Sequence, residues 1–179
     1  MARSPRTASR IPLDSFATAR LLAERLVPAH LPDLHRMDRD ERFMASLGGV
    51  RDDAATAAYL DRNLAHWSEH GFGLWMLRHP GTTALIGRAV LRHLEVEGVD
   101  EVEVGYGFFP EYWGRGLATE IARACVRTGR DVLGLRSVVA VTLPTNLASR
   151  RVMQKAGLVY ERDITHAGLP HVLFRTRPG

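Results

Sequence analysis

The sequence predicts an α+β domain built on a mixed, mostly antiparallel sheet flanked by helices. Three observations carry that expectation. The segments FGLWMLRH, ALIGRAVLRHLEV and EVEVGYGFF follow one another with only PGTT and EGVD between them, short and polar as hairpin loops are. Helical patterns precede this meander and separate the strands after it. The chain of 179 residues is about one domain's worth, and no repeat or linker divides it.

Taken in order, residues 1–17 read as a basic, flexible tail and 18–179 as a single domain. RLLAERLV, Arg20 to Val27, is the first strand. PAHLPDLHRMDRDERFMASLGG is expected to be helical, with Leu31, Leu34, Met37 and Leu47 on one stripe and Gly48-Gly49 as its stop. Asp52 or Asp53 caps a second helix from about Ala54 to His70, which Gly71 ends. After the meander, Gly116 to Leu133 is helical, SVVAVTL is a short buried strand, and Asn146 to Ala156 is a further helix closed by Gly157. Strands near Leu158–Arg162 and His171–Thr176 form a hairpin across THAGLP.

Composition narrows the classes of function. The chain is 45% hydrophobic and 25% charged, ordinary for a globular protein, and no apolar run approaches the roughly 18 residues of a membrane span. Cys125 stands alone, which excludes an internal disulfide and fits a cytoplasmic location. The opening MARSPRTASR lacks the apolar core of a secretory signal; its Arg- and Ser-rich composition is also that of a transit peptide. Of the formal charge of +4, residues 1–20 hold +3 (Arg3, Arg6, Arg10 and Arg20 against Asp14), which leaves about +1 for the rest. The domain therefore has no basic face of the kind nucleic acid requires. Neither a nucleic-acid partner nor a membrane is expected.

The segment YWGRGLATEIARA is where the strand EVEVGYGFF passes through a loop into a helix. Glycine costs roughly 0.5–1 kcal/mol per site in backbone entropy. The first amides of a helix lack intrahelical partners, and the dipole there favours negative charge. With Gly114 and Gly116 removing the Cβ atoms, this turn suits a phosphate or pyrophosphate. A tight turn using glycine for its geometry alone is the alternative. Gly105 and Gly107 inside the preceding strand point to a bulge or to close approach by another backbone. Further on, TNLASRRVMQKAGL puts Asn146 and Ser149 near one helix start.

This ordered set resembles the GNAT superfamily of N-acetyltransferases, and most of all its ribosomal-protein N-terminal (Rim-type) branch. The resemblance rests on TARLLAERL with PAHLPDL, VEVGYGFFPEYWGRGLATE and NLASRRVMQKAGL, and covers roughly residues 18 to 176. The superfamily's pyrophosphate loop, (Q/R)-x-x-G-x-(G/A), falls on Trp113, Gly114, Arg115, Gly116, Leu117 and Ala118, with Trp113 departing from Gln/Arg. The resemblance implies a V-shaped splay between the fourth and fifth strands, EVEVGYGFF and SVVAVTL. It implies acetyl-CoA as co-substrate and no metal: amides of Gly114 through Thr119 on the pyrophosphate, the strand end at Phe108-Phe109 along the pantetheine arm, and Asn146 on the pantetheine or phosphate side. The acceptor is a small-molecule amine or a protein N-terminus, and the protein a monomer or homodimer.

Acetyl transfer needs a neutral amine. At pH 7 an α-amine is roughly 10–20% neutral and a lysine below about 0.1%, so a carboxylate base helps lysine acceptors most. Glu101 and Glu103 share one strand face, and Glu103, nearer the glycines, is the candidate base; both facing solvent is the alternative. A backbone amide near Tyr106–Phe108 is the candidate oxyanion donor. Where many superfamily members carry an acid tyrosine this chain has Met153, so Ser149 becomes the candidate hydrogen-bond donor to the sulfur, its alternative being helix capping. Cys125 reads as core. Trp75, Tyr106 and the His30–Asp61 region are candidate acceptor-side groups.

Two rivals remain. HWSEH, His66 to His70, matches the H-x-x-E-H pattern of zinc hydrolases. On a helical wheel, however, the two histidines lie about 100° from the stripe of Leu60, Leu64 and Trp67, on a face expected to be solvated. A non-catalytic acyl-CoA-binding or sensory domain is the other rival, favoured by Met153 and opposed by Glu103 with Ser149.

Overall fold

The structure is a computed structural model that describes residues 13–177. Eight strands form one sheet: β1 (Ser15–Ala17), β2 (Leu22–Arg25), β3 (Leu74–Arg78), β4 (Leu85–Val96), β5 (Val99–Phe108), β6 (Val139–Thr142), β7 (Leu158–His166) and β8 (Leu169–Thr176). Their spatial order is β1-β2-β3-β4-β5-β6-β8-β7, antiparallel throughout except for β5 and β6. The helices are α1 (Leu31–Asp38), α2 (Glu41–Met44), α3 (Asp53–His70), α4 (Leu117–Arg127) and α5 (Leu147–Lys155). The mixed, mostly antiparallel sheet flanked by helices is the expected architecture.

Helices cover both faces. Arg88 of β4 reaches Asp38 at the end of α1 on one face, while Leu91, three residues on, lies beside Gly129 just past α4 on the other. The odd-numbered residues of β5 therefore face α1–α3, and the even-numbered ones face α4 and α5. Trp67, Trp75, Phe72 and Phe174 are among the largest side chains fully enclosed between these layers.

The departures from expectation have local causes. Most of the expected tail, residues 1–12, lies outside the described residues; Ser15–Ala17, within it, pairs with β2 as an extra edge strand. The region 28–49 is not one helix. Asp40 accepts from the amides of Arg42 and Phe43 and so starts α2 as a separate helix. Buried Asp38 fixes the break, accepting from Arg88 Nη1 at 2.7 Å, Arg51 Nη1 at 3.0 Å and Thr56 Oγ1 at 3.1 Å. The hairpin turns are shorter than EGVD and THAGLP: Glu97-Gly98 and Ala167-Gly168 each take two positive φ angles, the two-residue turn that matches strand twist.

No bulge interrupts β5, which stays in register with β4 from Phe108↔Gly87 to Val99↔Val96. Gly107 instead leaves room for side chains of α2 and the turn after it, since a Cβ there would come within 2.9 Å of Phe43 and 3.0 Å of Leu47. Close backbone approach occurs at Gly87, whose Cβ would lie 2.1 Å from the Gly107 carbonyl.

The parallel contact decides the site. β5 and β6 share one registered pair, Glu103↔Val139, and part beyond it. This is the expected splay, here between β5 and β6 because β1 adds a strand to the count.

Candidate functional site

The glycine turn opens at the splay. After Phe108 the chain makes a short turn at Pro110–Tyr112 and reaches Gly114 and Gly116 with φ of 73° and 77°. A residue with a Cβ pays roughly 1–2 kcal/mol for that left-handed backbone. Gly116 is the N-cap of α4, and being glycine it brings no capping side chain. The first intrahelical bond runs from the Glu120 amide to the Gly116 carbonyl, so the amides of Leu117, Ala118 and Thr119 have no partner within the helix. No atom lies within 4 Å of where a Gly114 Cβ would sit. Free amides, a favourable helix dipole and open space together fit a pyrophosphate.

A cleft of about 650 Å³ runs from this turn into the splay, walled by α2, β5, β6 and α5. The Phe109 amide donates to Ile86 of β4, so by strand alternation the backbone groups of 104, 106 and 108 point the other way, into the cleft. The Trp113 indole N–H, 2.8 Å from the Phe108 carbonyl, occupies the outermost of them. Beyond the Glu103↔Val139 pair, Tyr106 keeps an open strand edge, and its amide belongs to the stretch expected to hold an oxyanion.

At the inner end stands a pair that the sequence did not reveal. The Tyr106 hydroxyl lies 3.1 Å from Ser149 Oγ and 3.3 Å from the Ser149 carbonyl oxygen, joining β5 to the start of α5. Burial pushes the Tyr106 phenol up to about 12, against a smaller opposing effect of the Ser149 bond, so the phenol stays protonated at neutral pH. Asn146 caps α5, its Oδ1 accepting from the Ser149 amide at 3.1 Å, and both residues line the cleft. Ser149 thus has its amide capped and its hydroxyl turned to Tyr106. Met153 is a buried wall of the same cleft.

Trp113, Gly114, Gly116, Leu117, Ala118, Thr119 and Phe108 line the cleft. Arg115 and Phe109 do not. Arg115 lays its guanidinium over the Tyr112 ring, and Phe109 is core, its ring 5.2 Å from that of Phe43. Glu103 lies on the α1–α3 face, buried, with Arg92 opposite it on β4. Arg92 Nε donates to its Oε1 at 2.5 Å and Nη2 contacts the same oxygen. Glu101 is held by both terminal nitrogens of Arg175, at 2.7 and 2.9 Å. No Asp or Glu side chain is among the described residues lining the cleft.

The HWSEH histidines are not on a solvated face. His66 is half-buried; its Nδ1 lies 2.8 Å from the Phe72 carbonyl and its Nε2 accepts from the His93 amide at 3.0 Å. Both ring nitrogens are therefore engaged by backbone, which leaves neither for a metal. Among the described residues no group of three or more His, Cys, Asp or Glu is placed to hold a metal ion. Cys125 is fully buried, and burial alone pushes its thiol up to about 12, as suits a core residue.

Residues 20–159 match the family model described as an acetyltransferase (GNAT) domain. The chain belongs to the GNAT acetyltransferase family. Among similar proteins, the FsC-acetyl coenzyme A-N(2)-transacetylase of Aspergillus fumigatus is 31% identical over 152 residues, covering 80% of this chain and 64% of that protein. The acetyltransferase of Agrobacterium tumefaciens superposes with a TM-score of 0.81 at 25% identity, over 98% of this chain and 99% of its own. An acetyl transferase of Salmonella typhimurium that modifies the N-terminal serine of ribosomal protein L7/L12 shares the fold, with a TM-score of 0.74 at 16% identity over 90% and 96% of the two chains. No helix among the described residues is long and apolar enough to cross a membrane.

Proposed function

We propose that this GNAT protein transfers the acetyl group of acetyl-CoA directly to a primary amine within a ternary complex, acting in the cytoplasm on an α-amine of Rim-type character or on a small-molecule amine. The observation that carries the reading is a glycine-capped helix with free amides, set at the mouth of a cleft that opens one edge of β5. When bound, acetyl-CoA supplies an activated thioester. The amides of Gly116 to Thr119 hold its anionic pyrophosphate, and the open edge at Tyr106 orients the arm. The protonated Tyr106 phenol and the Ser149 hydroxyl, in mutual contact, present O–H donors toward the departing sulfur.

Proton removal bears on the acceptor. With no carboxylate on the cleft wall, an amine already partly neutral needs the least help, and an α-amine near pKa 7.7–8.0 is such an amine. The fit of the Salmonella acetyl transferase, which modifies an N-terminal serine, favours the same class. Glu103 stays the candidate base, acting through a water rather than by direct contact.

The test is release of CoA thiol from acetyl-CoA with a serine-starting peptide, the same peptide N-terminally blocked, free amino acids and a polyamine. Release with the open peptide or amino acids, absent with the blocked peptide, supports the reading. CoA binding without release for any amine would make the chain a sensory domain, and no CoA binding would reduce the glycines to a tight turn. Glu103→Gln should slow turnover and leave CoA binding unchanged; unchanged turnover removes Glu103 as base.

A further inference from the structure

The pyrophosphate loop has a support far away in sequence. Between β1 and β2 the chain bends at Thr18–Leu21, and from that bend Arg20 reaches α4 and the glycine turn. Its Nε donates to Glu120 Oε2 at 2.7 Å, and its backbone amide to Glu120 Oε1 at 2.8 Å. Thr18 Oγ1 donates to the same Oε1 at 2.5 Å. Glu120 is thus gripped through both oxygens and fixes the guanidinium in one orientation. From that position Arg20 Nη1 donates to the Arg115 carbonyl at 2.8 Å.

The last contact is the informative one. Arg115 and Gly116 are joined by a trans peptide, in which the carbonyl and the next N–H point in opposite directions. Holding the Arg115 carbonyl toward Arg20 therefore turns the Gly116 N–H away from it. Gly116, at φ of 77° on the C-terminal side, leaves this peptide easy to rotate. Rotated by half a turn, it would aim a carbonyl dipole where an anion is to sit. A side-chain clamp on one carbonyl sets the polarity of the loop.

We propose that Arg20 is a positioning residue for the donor: oriented by Glu120 and Thr18, it locks the Arg115–Gly116 peptide so that the loop presents N–H groups to the pyrophosphate. The proposal rests on the acetyl-CoA reading above. It predicts an effect confined to ligands that carry a pyrophosphate. Arg20→Ala should weaken CoA binding by roughly tenfold, the size of one lost hydrogen bond to a charged group. It should raise KM for acetyl-CoA with little change in kcat. Transfer from S-acetylpantetheine, which lacks the pyrophosphate, should proceed as in the unaltered protein. Arg20→Lys keeps the charge but not the forked geometry, and should recover part of the loss.

The decisive experiment measures calorimetric CoA affinity and steady-state rates with both donors for the unaltered protein, R20A and R20K, with melting temperature as a control on folding. A CoA-specific loss in R20A, partly restored in R20K, is the expected result. Equal loss with both donors, or no loss with either, overturns the role of Arg20. Failure of the unaltered protein to bind CoA at all instead overturns the acetyl-CoA reading, so the two failures are distinguishable.

Discussion

Three helix starts in this molecule solve the same problem in two opposite ways. α3 begins at Asp52, whose carboxylate accepts from the Ala55 amide, and α5 begins at Asn146, whose side chain accepts from the Ser149 amide. α4 begins at Gly116, with no side chain to cap anything. The first two helices are closed structural units; the third is left open at the mouth of a cleft. A capped start serves the fold, and an uncapped one keeps its donors for something from outside.

The largest effect should come from closing the open start. Gly116→Asp supplies a capping oxygen and a negative charge where the pyrophosphate belongs, on a backbone that Asp tolerates better than most residues. CoA affinity measured by calorimetry should fall by a hundredfold or more, about 3 kcal/mol, while the melting temperature changes little. Ser149→Ala leaves the α5 cap intact, because Asn146 binds the backbone amide and not the hydroxyl. It should lower kcat by about tenfold to a hundredfold and leave CoA affinity as it was. Asp52→Ala should do the reverse: denaturant unfolding should show a loss of about 1 kcal/mol, with turnover unchanged in the folded fraction.

Acid gives a finer contrast. Burial works to raise the Glu120 carboxyl, but its bonds from Thr18 and Arg20 together outweigh that and hold it below its usual 4.5. A carboxyl lowered on folding stabilises fully above the unfolded value and loses that contribution as pH falls through the folded one. The Arg20 clamp should therefore hold at neutral pH and weaken below about pH 4.5. Glu120→Gln, compared with the unaltered protein by thermal unfolding from pH 7 down to pH 3, should flatten that decline.

What the sequence disclosed and what it withheld divide along the same line as local and distant contact. The meander, a cap at Asp52 or Asp53, the helix start at Asn146, the glycine turn and the Gly71 and Gly157 stops rest on neighbours a few residues apart, and all were legible. The Tyr106–Ser149 contact joins residues 43 apart on different elements, and Arg20 reaches Arg115 across 95; no period or spacing encodes either. Arg92 opposite Glu103 is an intermediate case. A two-residue turn at Glu97-Gly98 fixes that register, so reading all four residues of EGVD as the hairpin loop concealed the ion pair. Asp40 caps α2 in the structure, and the apolar stripe running past it hid the break between α1 and α2 from the sequence.

The single registered pair between β5 and β6 has a consequence for how occupancy is seen from outside. A sheet normally protects the amides along an interior strand from exchange with solvent deuterium. Here the Tyr106 amide sits in the middle of an eight-stranded sheet yet faces a gap, so its proton should exchange like that of an edge strand. A donor lying along that edge would slow the exchange at a position flanked by amides already slow on the β4 side. The parting of two strands thus gives the molecule a built-in reporter: one backbone proton whose lifetime records whether the cleft is filled.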